Sequence, residues 1–392
     1  MTASLAPRDA ATAAARTWDA LVIGAGPAGS LAAFELARAG LGVLLVDRAT
    51  FPRDKACGGC LNATAVACLR EAGLPDLLAE AGAQPLASMQ LRAGGRRAQL
   101  PLHGGVVLSR AALDAALLAA ARDAGAAVLT GVRAGAAPDD SPSDACADAR
   151  AVQLTGDDGL AVRVEARVVL AATGLGPTLL DTRAPARPAR GSRLGAGVVF
   201  ESAGSTLPPG ELHMACGESG YVGLVVAERG RLVVAAALDP AAVAEAGGVG
   251  PLAVSIVAQA GLPPLAGLAQ PRWLATPPLT RRAATLAARR AFVLGDAAGF
   301  VEPFTGEGLA WALTAARAVQ PFARAAARAW DDGLISAWSA EWRATVARRQ
   351  RLCRGLAWTL RHPLAVRAAL AALSSRPQLG APLLSRLGAA AP

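Results

Sequence analysis

Residues 20–29 read ALVIGAGPAG, in which an apolar run leads into three closely spaced glycines. The pattern is typical of a buried strand, a tight turn and the start of a helix. Gly24 permits the turn, Gly26 lets backbone amides approach a pyrophosphate, and Gly29 lets the helix pack closely on the strand. The residues of this motif that we expect to contact a dinucleotide are Gly24, Gly26, Pro27, Ala28 and Gly29.

A second apolar run, residues 43–46, ends in Asp47. Together with the glycine turn and the helical pattern before it, this run completes a βαβ unit of about thirty residues. A carboxylate at the end of the second strand can accept hydrogen bonds from both ribose hydroxyls of an adenosine. The unit therefore predicts dinucleotide binding, with Asp47 at the adenosine end.

Another strand that ends in an acid lies far along the chain, where residues 291–296 read AFVLGD. Asp296 is too distant to serve the same ribose, but it could accept a hydroxyl from the ribityl chain of FAD. The glycine-rich residues 303–308 then begin a helix predicted at 309–318, whose N-terminus would stabilise the anion of reduced flavin by about 0.3–2 kcal/mol. The residues assigned here to FAD are Gly295, Asp296, Pro303, Gly306, Gly308 and Leu309.

The composition limits the function classes that the chain can belong to. Of its 392 residues, 53% are hydrophobic, and the net charge of +9 comes almost entirely from arginine, with Lys55 the only lysine. Scattered arginine and few aromatic residues argue against nucleic-acid binding. Prolines interrupt the longest uncharged stretch, residues 246–271, which excludes a membrane-spanning helix there. The six cysteines lie mostly far apart and no signal peptide is evident, so we expect a cytoplasmic protein.

The fold class predicted from these patterns is α/β. We expect a doubly wound, Rossmann-like FAD-binding domain, a substrate domain built on an antiparallel sheet, and a C-terminal helical extension. Short strands within residues 86–108 and strands at 196–200, 221–226 and 232–238 would form the antiparallel sheet. The predicted bounds are 1–16 for a disordered tail, 17–75, 109–190 and 276–325 for the discontinuous FAD-binding domain, 76–108 and 191–275 for the substrate domain, and 326–392 for the extension.

The ordered set of motifs resembles the p-hydroxybenzoate hydroxylase superfamily of FAD enzymes over roughly residues 18 to 320. The resemblance rests on the Gly24 motif with Asp47, Arg110 at the start of a helix, Thr173-Gly174 at a strand end, and residues 295–308. The loop 57–62, which reads CGGCLN, and Gly299, where aromatic hydroxylases usually carry histidine, are most similar to the geranylgeranyl reductase-like branch.

This resemblance implies roles for further residues. Arg110 would contact the FAD phosphates or the flavin edge, and Arg48 would lie along the adenosine side. Gly174 would belong to the FAD site, and the antiparallel sheet would cover the flavin. Thr173-Gly174 stands where many hydroxylases have Asp-Gly, and residues 221–225 lack the tryptophan and proline of the reductase motif, so the branch stays open.

Cys57 and Cys60 allow three interpretations. A metal site would need a second pair or a nearby histidine, and we predict no metal. A redox dithiol of the disulfide reductases would need a wider spacing and a second dinucleotide fold. We favour a loop whose Gly58 and Gly59 approach the flavin while Cys57 borders the substrate cavity; otherwise both thiols are merely buried.

Tyr221, the only tyrosine, begins a strand of the predicted substrate sheet. A buried phenol can donate a proton or position a substrate oxygen, although a structural role is the commoner one. Tyr221 and Cys57 are the candidate catalytic residues.

The C-terminal tail combines tryptophan and arginine with leucine and alanine. Trp338 and Trp342 stand four residues apart, and arginines recur from Arg348 to Arg367. Such a basic amphipathic segment can lie on an anionic bilayer, or pack its apolar stripe on the FAD lobe, which we favour.

We therefore predict an FAD-dependent oxidoreductase of secondary metabolism, reduced by NAD(P)H that binds transiently. The leading hypothesis is monooxygenation of an apolar or aromatic molecule, such as a polyketide or a prenylated phenol. The main alternative is reduction of a carbon–carbon double bond, which needs a proton donor. Flavin-dependent halogenation is a weaker hypothesis, and a non-catalytic redox sensor or lipid carrier is the alternative outside enzymes. We expect a monomer or a homodimer.

Overall fold

The computed structural model describes residues 12–137, 148–180, 186–201, 207–270, 272–302, 304 and 306–376. Pro303 lies outside the described residues, as do residues 1–11 of the predicted disordered tail and residues 377–392 of the predicted C-terminal extension. The last residues of the predicted disordered tail differ from that prediction. Ala13 is buried, and its carbonyl accepts a hydrogen bond of 2.9 Å from Nε1 of Trp18, which attaches this part of the tail to the first strand.

The described residues form two large sheets, one small sheet and a set of helices. The strands are β1 (Thr17–Ile23), β2 (Val43–Asp47), β3 (Cys60–Leu61), β4 (Gln84–Ala93), β5 (Arg96–Val107), β6 (Ala127–Thr130), β7 (Val132–Ala136), β8 (Arg150–Gly156), β9 (Ala161–Ala171), β10 (Arg187–Pro188), β11 (Leu194–Phe200), β12 (Glu211–Gly217), β13 (Gly220–Val226), β14 (Leu232–Leu238), β15 (Leu274–Pro278), β16 (Arg281–Arg282), β17 (Ala287–Ala288), β18 (Ala291–Val293) and β19 (Gly299–Phe300). The α-helices are α1 (Pro27–Arg38), α2 (Ala63–Glu71), α3 (Leu77–Glu80), α4 (Arg110–Asp123), α5 (Pro240–Glu245), α6 (Val249–Gln259), α7 (Glu307–Ala318), α8 (Gln320–Arg328), α9 (Gly333–Trp342), α10 (Arg348–Thr359) and α11 (Pro363–Ser375). Short 3-10 turns at Glu228–Gly230 and Gly295–Ala297 and a π-helical turn at Arg343–Ala347 complete the order.

The first large sheet has the strand order β17-β18-β9-β1-β2-β6, and β8 and β7 extend it from β9. The pairs from β18 to β6 are parallel, with Val22 of β1 opposite both Leu45 and Leu170. Parallel strands are covered by helices on both faces, which is why β1 and β2 are nearly continuous apolar runs. Because all five strands point the same way, their carboxyl ends share one edge, and Asp47 and Asp296 both follow strands at that edge.

The second large sheet, in the order β15-β11-β14-β13-β12-β4-β5-β3, confirms the predicted antiparallel sheet. The short strands expected within residues 86–108 are instead one long hairpin, β4 and β5, and β4 joins β12 in parallel. Side chains alternate across β13, so that Tyr221 faces the first lobe while Val222 and Leu224 pack beneath α6 in a second core. The sheet therefore presents one face to the FAD-binding lobe.

A buried acid joins the two lobes. Glu228, in the turn between β13 and β14, accepts hydrogen bonds from the backbone N–H of Ser109 at 2.9 Å and from its hydroxyl at 2.5 Å. The Ser109 hydroxyl also caps α4 by accepting a bond of 3.2 Å from the N–H of Ala112. The substrate sheet is thus attached to the start of the helix that carries Arg110.

The described part of the C-terminal extension is helical; α9 packs on the first sheet, and α11 packs on β4 and β5 of the second. Trp338 is fully buried and donates from Nε1 to the carbonyl of Val293 at 3.1 Å. Trp342 is also buried and lies against Gly299. Among the helices of the described ranges, none has both the length and the apolar character needed to cross a bilayer.

We expect Gly29→Ala to destabilise the protein by about 3 kcal/mol or more, because an added Cβ would lie 1.8 Å from the Gly24 carbonyl oxygen and force backbone to move. Urea unfolding measures the loss. Gly355→Ala is the matched control, since Gly355 is also helical and its Cβ would meet no atom within 4 Å. That control should gain about 0.5–1 kcal/mol. Equal unfolding midpoints for the two variants would contradict the close-packing role of Gly29.

Candidate functional site

A cavity with about 1320 Å³ of empty space, including solvent at its mouth, lies between the two large sheets. Most of the residues predicted from the sequence line it: Gly26, Pro27, Ala28, Cys57, Gly58, Arg110, Gly174, Tyr221, Gly295, Asp296, Gly306, Gly308 and Leu309. Gly24, Gly29, Asp47 and Arg48 are not among its lining residues. The fold therefore brings together residues that are up to 283 positions apart in the chain, from Gly26 to Leu309.

Two helix N-termini open onto this cavity. Gly26 precedes α1 in an extended conformation, and Gly306 precedes α7 in the left-handed region with φ of 74°. Neither helix has a side-chain cap hydrogen bond at its N-terminus. The N–H groups of a first helical turn lack intrahelical partners and carry the positive end of the helix dipole. Each N-terminus is therefore suited to bind negative charge from a ligand in the cavity.

The residues of the glycine motif that do not line the cavity have structural tasks. A Cβ at Gly24 would lie 2.3 Å from the carbonyl oxygen of Ala172, so β1 and the end of β9 can approach closely only with glycine there. Asp47 accepts hydrogen bonds from the N–H groups of Ala25 at 2.7 Å and Ala49 at 2.8 Å. Each carboxylate oxygen can accept a second bond. Asp47 thus shapes the turn and keeps capacity for a ribose hydroxyl.

Asp47 and Asp296 stand at the same edge of the parallel sheet. Their strands, β2 and β18, are separated by β1 and β9, which are three strand spacings, or about 14–15 Å. A ligand that contacts both acids must be elongated and must cross the N-terminus of α1 between them. This geometry suits an adenosine at Asp47, a pyrophosphate at α1 and a ribityl chain at Asp296.

A cluster of charged residues lines or backs the cavity near its centre. Arg110 donates to buried Asp114 from Nε at 2.9 Å and Nη2 at 2.7 Å, and Nη1 of Arg53 lies 3.1 Å from the same carboxylate. Lys55 and Asp296 both line the cavity, and burial lowers the pKa of Lys55 and raises that of Asp296. Arg53, Arg110 and Lys55 carry three formal positive charges, and Asp114 and Asp296 carry two negative ones. The cluster therefore has a formal net charge of +1, which favours binding of a pyrophosphate.

The sequence motifs did not predict that Arg53, Lys55 and Asp114 belong to this cluster. The spacing of Asp114 four residues after Arg110 on one helix is a signal that could have identified it. Arg53 and Lys55 belong to the loop before Cys57, and nothing in their spacing shows that the loop folds back over α4.

The cysteine loop contributes Cys57 and Gly58 to the cavity wall. Cys57 and Cys60 are free thiols; the sulfur of Cys57 accepts from the N–H of Gly59 at 3.5 Å, and the thiol of Cys60 donates to the carbonyl of Gly58 at 3.5 Å. Burial, with a smaller effect from Cys57, raises the pKa of Cys60 to about 12. Within the described ranges, no group of three or more His, Cys, Asp or Glu could hold a metal ion.

Tyr221 forms part of the cavity wall on the side of the substrate sheet. Its ring meets Phe304 edge-on with centroids 5.0 Å apart, and Glu302 lies close enough to the phenol to change its pKa. Burial first, and then the charge of Glu302, raise the pKa of Tyr221 well above its ordinary value. Glu302 is itself buried and pairs with Arg193 and Arg361, each at 3.2 Å. The sequence motifs did not predict that Glu302, Arg193 or Arg361 belongs to the site.

Glu307 links the cysteine loop to the start of α7. It is buried and accepts a hydrogen bond of 2.5 Å from Nδ2 of Asn62, the residue that caps α2. Burial raises its pKa to about 7, against smaller opposing effects from Arg349 and Asn62. The N-terminus of α7 therefore contains an acid that is partly neutral at physiological pH.

The family model described as FAD binding domain matches residues 17–348. The chain belongs to this FAD-binding family. The match includes both strand-end acids, the glycine turn, Arg110 and Tyr221, and it confirms the expected p-hydroxybenzoate hydroxylase-like superfamily and FAD as the cofactor class.

Curated relatives match parts of this FAD-binding protein. Menaquinone reductase of Mycobacterium tuberculosis is 40% identical over 153 residues, which are 37% of this chain and 35% of that protein. Geranylgeranyl diphosphate reductase of Rhodobacter capsulatus is 40% identical over 116 residues, 29% of this chain and 28% of that protein. The chain thus aligns with about a third of the length of these relatives.

Solved structures match nearly the whole FAD-binding protein at low identity. A flavoprotein/dehydrogenase from Cytophaga hutchinsonii has a TM-score of 0.78 and 18% identity over 95% of this chain and 92% of its own. A flavin-dependent brominase has a TM-score of 0.77 and 15% identity over 96% of this chain and 94% of its own. These similarities show the fold.

Replacing Asp47 with alanine is expected to weaken FAD binding by about 1–3 kcal/mol, because a charge-assisted acceptor is lost and the Ala25 N–H loses its partner. The dissociation constant measured by flavin fluorescence reports the change. Asp123→Ala, which removes an exposed acid at the end of α4, is the control and should leave binding unchanged. Full flavin retention by the Asp47 variant after dialysis would refute this role.

The buried carboxyl of Glu307 should make stability depend on pH. Its folded pKa of about 7 exceeds the ordinary 4.5, so its contribution is fully present below about pH 4.5 and is lost as pH rises through about 7. The loss is about 3 kcal/mol at 1.36 kcal/mol per pKa unit. Chemical unfolding at a series of pH values should show this slope in the wild type, and not in Glu307→Gln.

The exposed Glu80→Gln serves as the matched control for that experiment. It should keep the wild-type slope between about pH 5 and 7. An identical slope in Glu307→Gln and in the wild type would mean that other groups cause the pH dependence.

Proposed function

We propose that the protein is an FAD-dependent reductase of carbon–carbon double bonds in hydrophobic molecules of isoprenoid type. The observation that carries the proposal is the buried phenol of Tyr221, which lines an apolar chamber beside Glu302. The names of the partial relatives, menaquinone reductase and geranylgeranyl diphosphate reductase, support a reductase that acts on molecules with an isoprenoid part.

The residues around the cavity fit FAD from end to end. Asp47 would bind the ribose of the adenosine, with exposed Arg48 expected along the same side. The N-terminus of α1 and the guanidinium of Arg110 would hold the pyrophosphate, and Asp296 would accept from the ribityl chain. Gly174, Gly58 and the N-terminus of α7 would surround the flavin. When bound, FAD supplies the hydride, and NAD(P)H is the expected source of its electrons.

The chamber beyond the flavin site is built to bind an apolar chain. Leu212, Met214 and Val225 line it from the substrate sheet, together with Leu279 and Phe304. These side chains exclude water and gain free energy from burying apolar substrate surface. A rigid prenyl or quinone substrate would therefore bind without polar partners along most of its length.

Tyr221 would complete the reduction by giving a proton to the second carbon of the double bond while the first carbon receives the hydride. The raised pKa keeps the phenol protonated until substrate is present. Arg193, 5.9 Å from the ring centroid, stabilises negative charge on the phenol oxygen during the transfer.

Monooxygenation remains the second candidate function. It is favoured by the same apolar lining, since a dry cavity suits the reaction of reduced flavin with oxygen, and it requires no proton donor in the protein. Oxygen dependence separates the two reactions, because reduction proceeds without oxygen and monooxygenation consumes it.

The decisive experiment is anaerobic turnover of geranylgeranyl diphosphate by the chemically reduced holoenzyme. We expect flavin reoxidation together with a product two mass units heavier. Tyr221→Phe should slow reoxidation by about 10²–10⁴-fold, the usual contribution of general acid catalysis, without loss of bound FAD. Cys57→Ser, which changes the other candidate donor, is the matched variant and should slow it much less.

Stopped-flow absorbance and mass spectrometry give the two readouts. A product that forms only when oxygen is admitted would replace reduction with monooxygenation. Normal anaerobic rates in Tyr221→Phe with a large loss in Cys57→Ser would instead transfer the donor role to Cys57.

A further inference from the structure

One face of α10 remains open on the surface of the protein. Arg348, Arg351, Leu352, Gly355 and Trp358 are all exposed, and their spacings of three, four, seven and ten residues from Arg348 place them on one side of the helix. We call this set the α10 outer face.

The α10 outer face and the start of α11 expose large apolar side chains. Trp358 is 62% exposed, Leu352 is 38% exposed and Leu364 is 79% exposed. These are three of the six exposed large hydrophobic residues among those that the structure describes, and they lie within thirteen positions of one another. A cluster of this kind marks a binding surface more often than a random position does.

The charge around these residues indicates what kind of partner would bind this surface. Residues 342–376 contain eight arginines and no aspartate or glutamate. Arg348 and Arg351 are exposed beside Leu352 and Trp358. Indole and leucine side chains favour the boundary between lipid headgroups and acyl chains, and arginines favour anionic headgroups at the same depth. A lipid surface satisfies both sets of side chains at once.

The opposite face of the same segment packs on the candidate active site. Gln350 donates to the carbonyl of Gly299 at 2.9 Å, and Arg361, between α10 and α11, pairs with Glu302 beside Tyr221. The α10 outer face is therefore held in a fixed position relative to the substrate chamber.

We propose that the α10 outer face, together with Leu364, binds the surface of an anionic lipid bilayer. The apolar side chains enter the interfacial region, and the arginines contact the headgroups. This binding needs no turnover, so it holds or fails separately from the proposed reaction.

The test is sedimentation of the FAD-loaded protein with vesicles of phosphatidylcholine, with or without phosphatidylglycerol. We expect at least tenfold tighter binding to the anionic vesicles, and weaker binding in 0.5 M salt, where the screening length falls to about 4 Å. The double variant Trp358→Ala/Leu364→Ala should lose at least tenfold in affinity, and Arg351→Glu should lose affinity chiefly at low salt.

Matched controls lie elsewhere on the surface. Leu160→Ala removes a leucine that is 48% exposed in the hairpin between β8 and β9, and Arg133→Glu reverses an exposed charge on β7. Both should bind vesicles like the wild type. Flavin absorbance confirms that each variant is folded.

Equal vesicle binding by the double variant and the wild type would overturn the proposal. The proposal would also be overturned if the wild-type protein did not bind anionic vesicles. That result would point to an acidic protein partner or to coverage of this face by another part of the chain.

Discussion

The shared direction of β18, β9, β1, β2 and β6 is the constraint on which the rest of the structure depends. It brings five strand ends to one edge, although Asp47 and Asp296 are 249 positions apart in the chain. The close approach of Gly24 to Ala172 and of Gly29 to Gly24 keeps β1, β9 and α1 tightly packed there. The helix N-terminus is thereby held between the two acids, which defines an elongated site.

The second constraint is electrostatic. Buried charges are costly unless they are paired, and two buried acids near the cavity each have two arginine partners. Asp114 pairs with Arg110 and Arg53 within the FAD lobe, while Glu302 pairs with Arg193 of the substrate lobe and Arg361 of the C-terminal helices. These pairs position side chains from three parts of the chain around one chamber. Removing one partner would leave the other as an uncompensated buried charge.

Function follows from the contrast between the two ends of the cavity. One end carries excess positive charge and uncapped helix N-termini, which suit a cofactor with two phosphates. The other end is apolar and contains Tyr221, where burial raises the pKa of the phenol and so keeps it protonated. An enzyme that transfers hydride in an apolar chamber needs such a proton source, whereas the surface that delivers its substrate can lie outside the chamber. The C-terminal helices connect these regions, since they contact Glu302 on one side and expose Trp358 on the other.

Local sequence determined much of this protein. The glycine spacing at 24–29, the strand that ends at Asp47, the AFVLGD segment and the antiparallel strands of the substrate sheet each depend on neighbouring residues, so periodicity and turn chemistry were sufficient to predict them. Only the tertiary structure decided that Asp114, Arg53 and Lys55 lie near Arg110, that Arg361 from the turn between α10 and α11 pairs with Glu302, and which side of α10 is exposed. Those contacts join residues from separate elements, and the burial and pKa of each group depend on neighbours that no local pattern specifies.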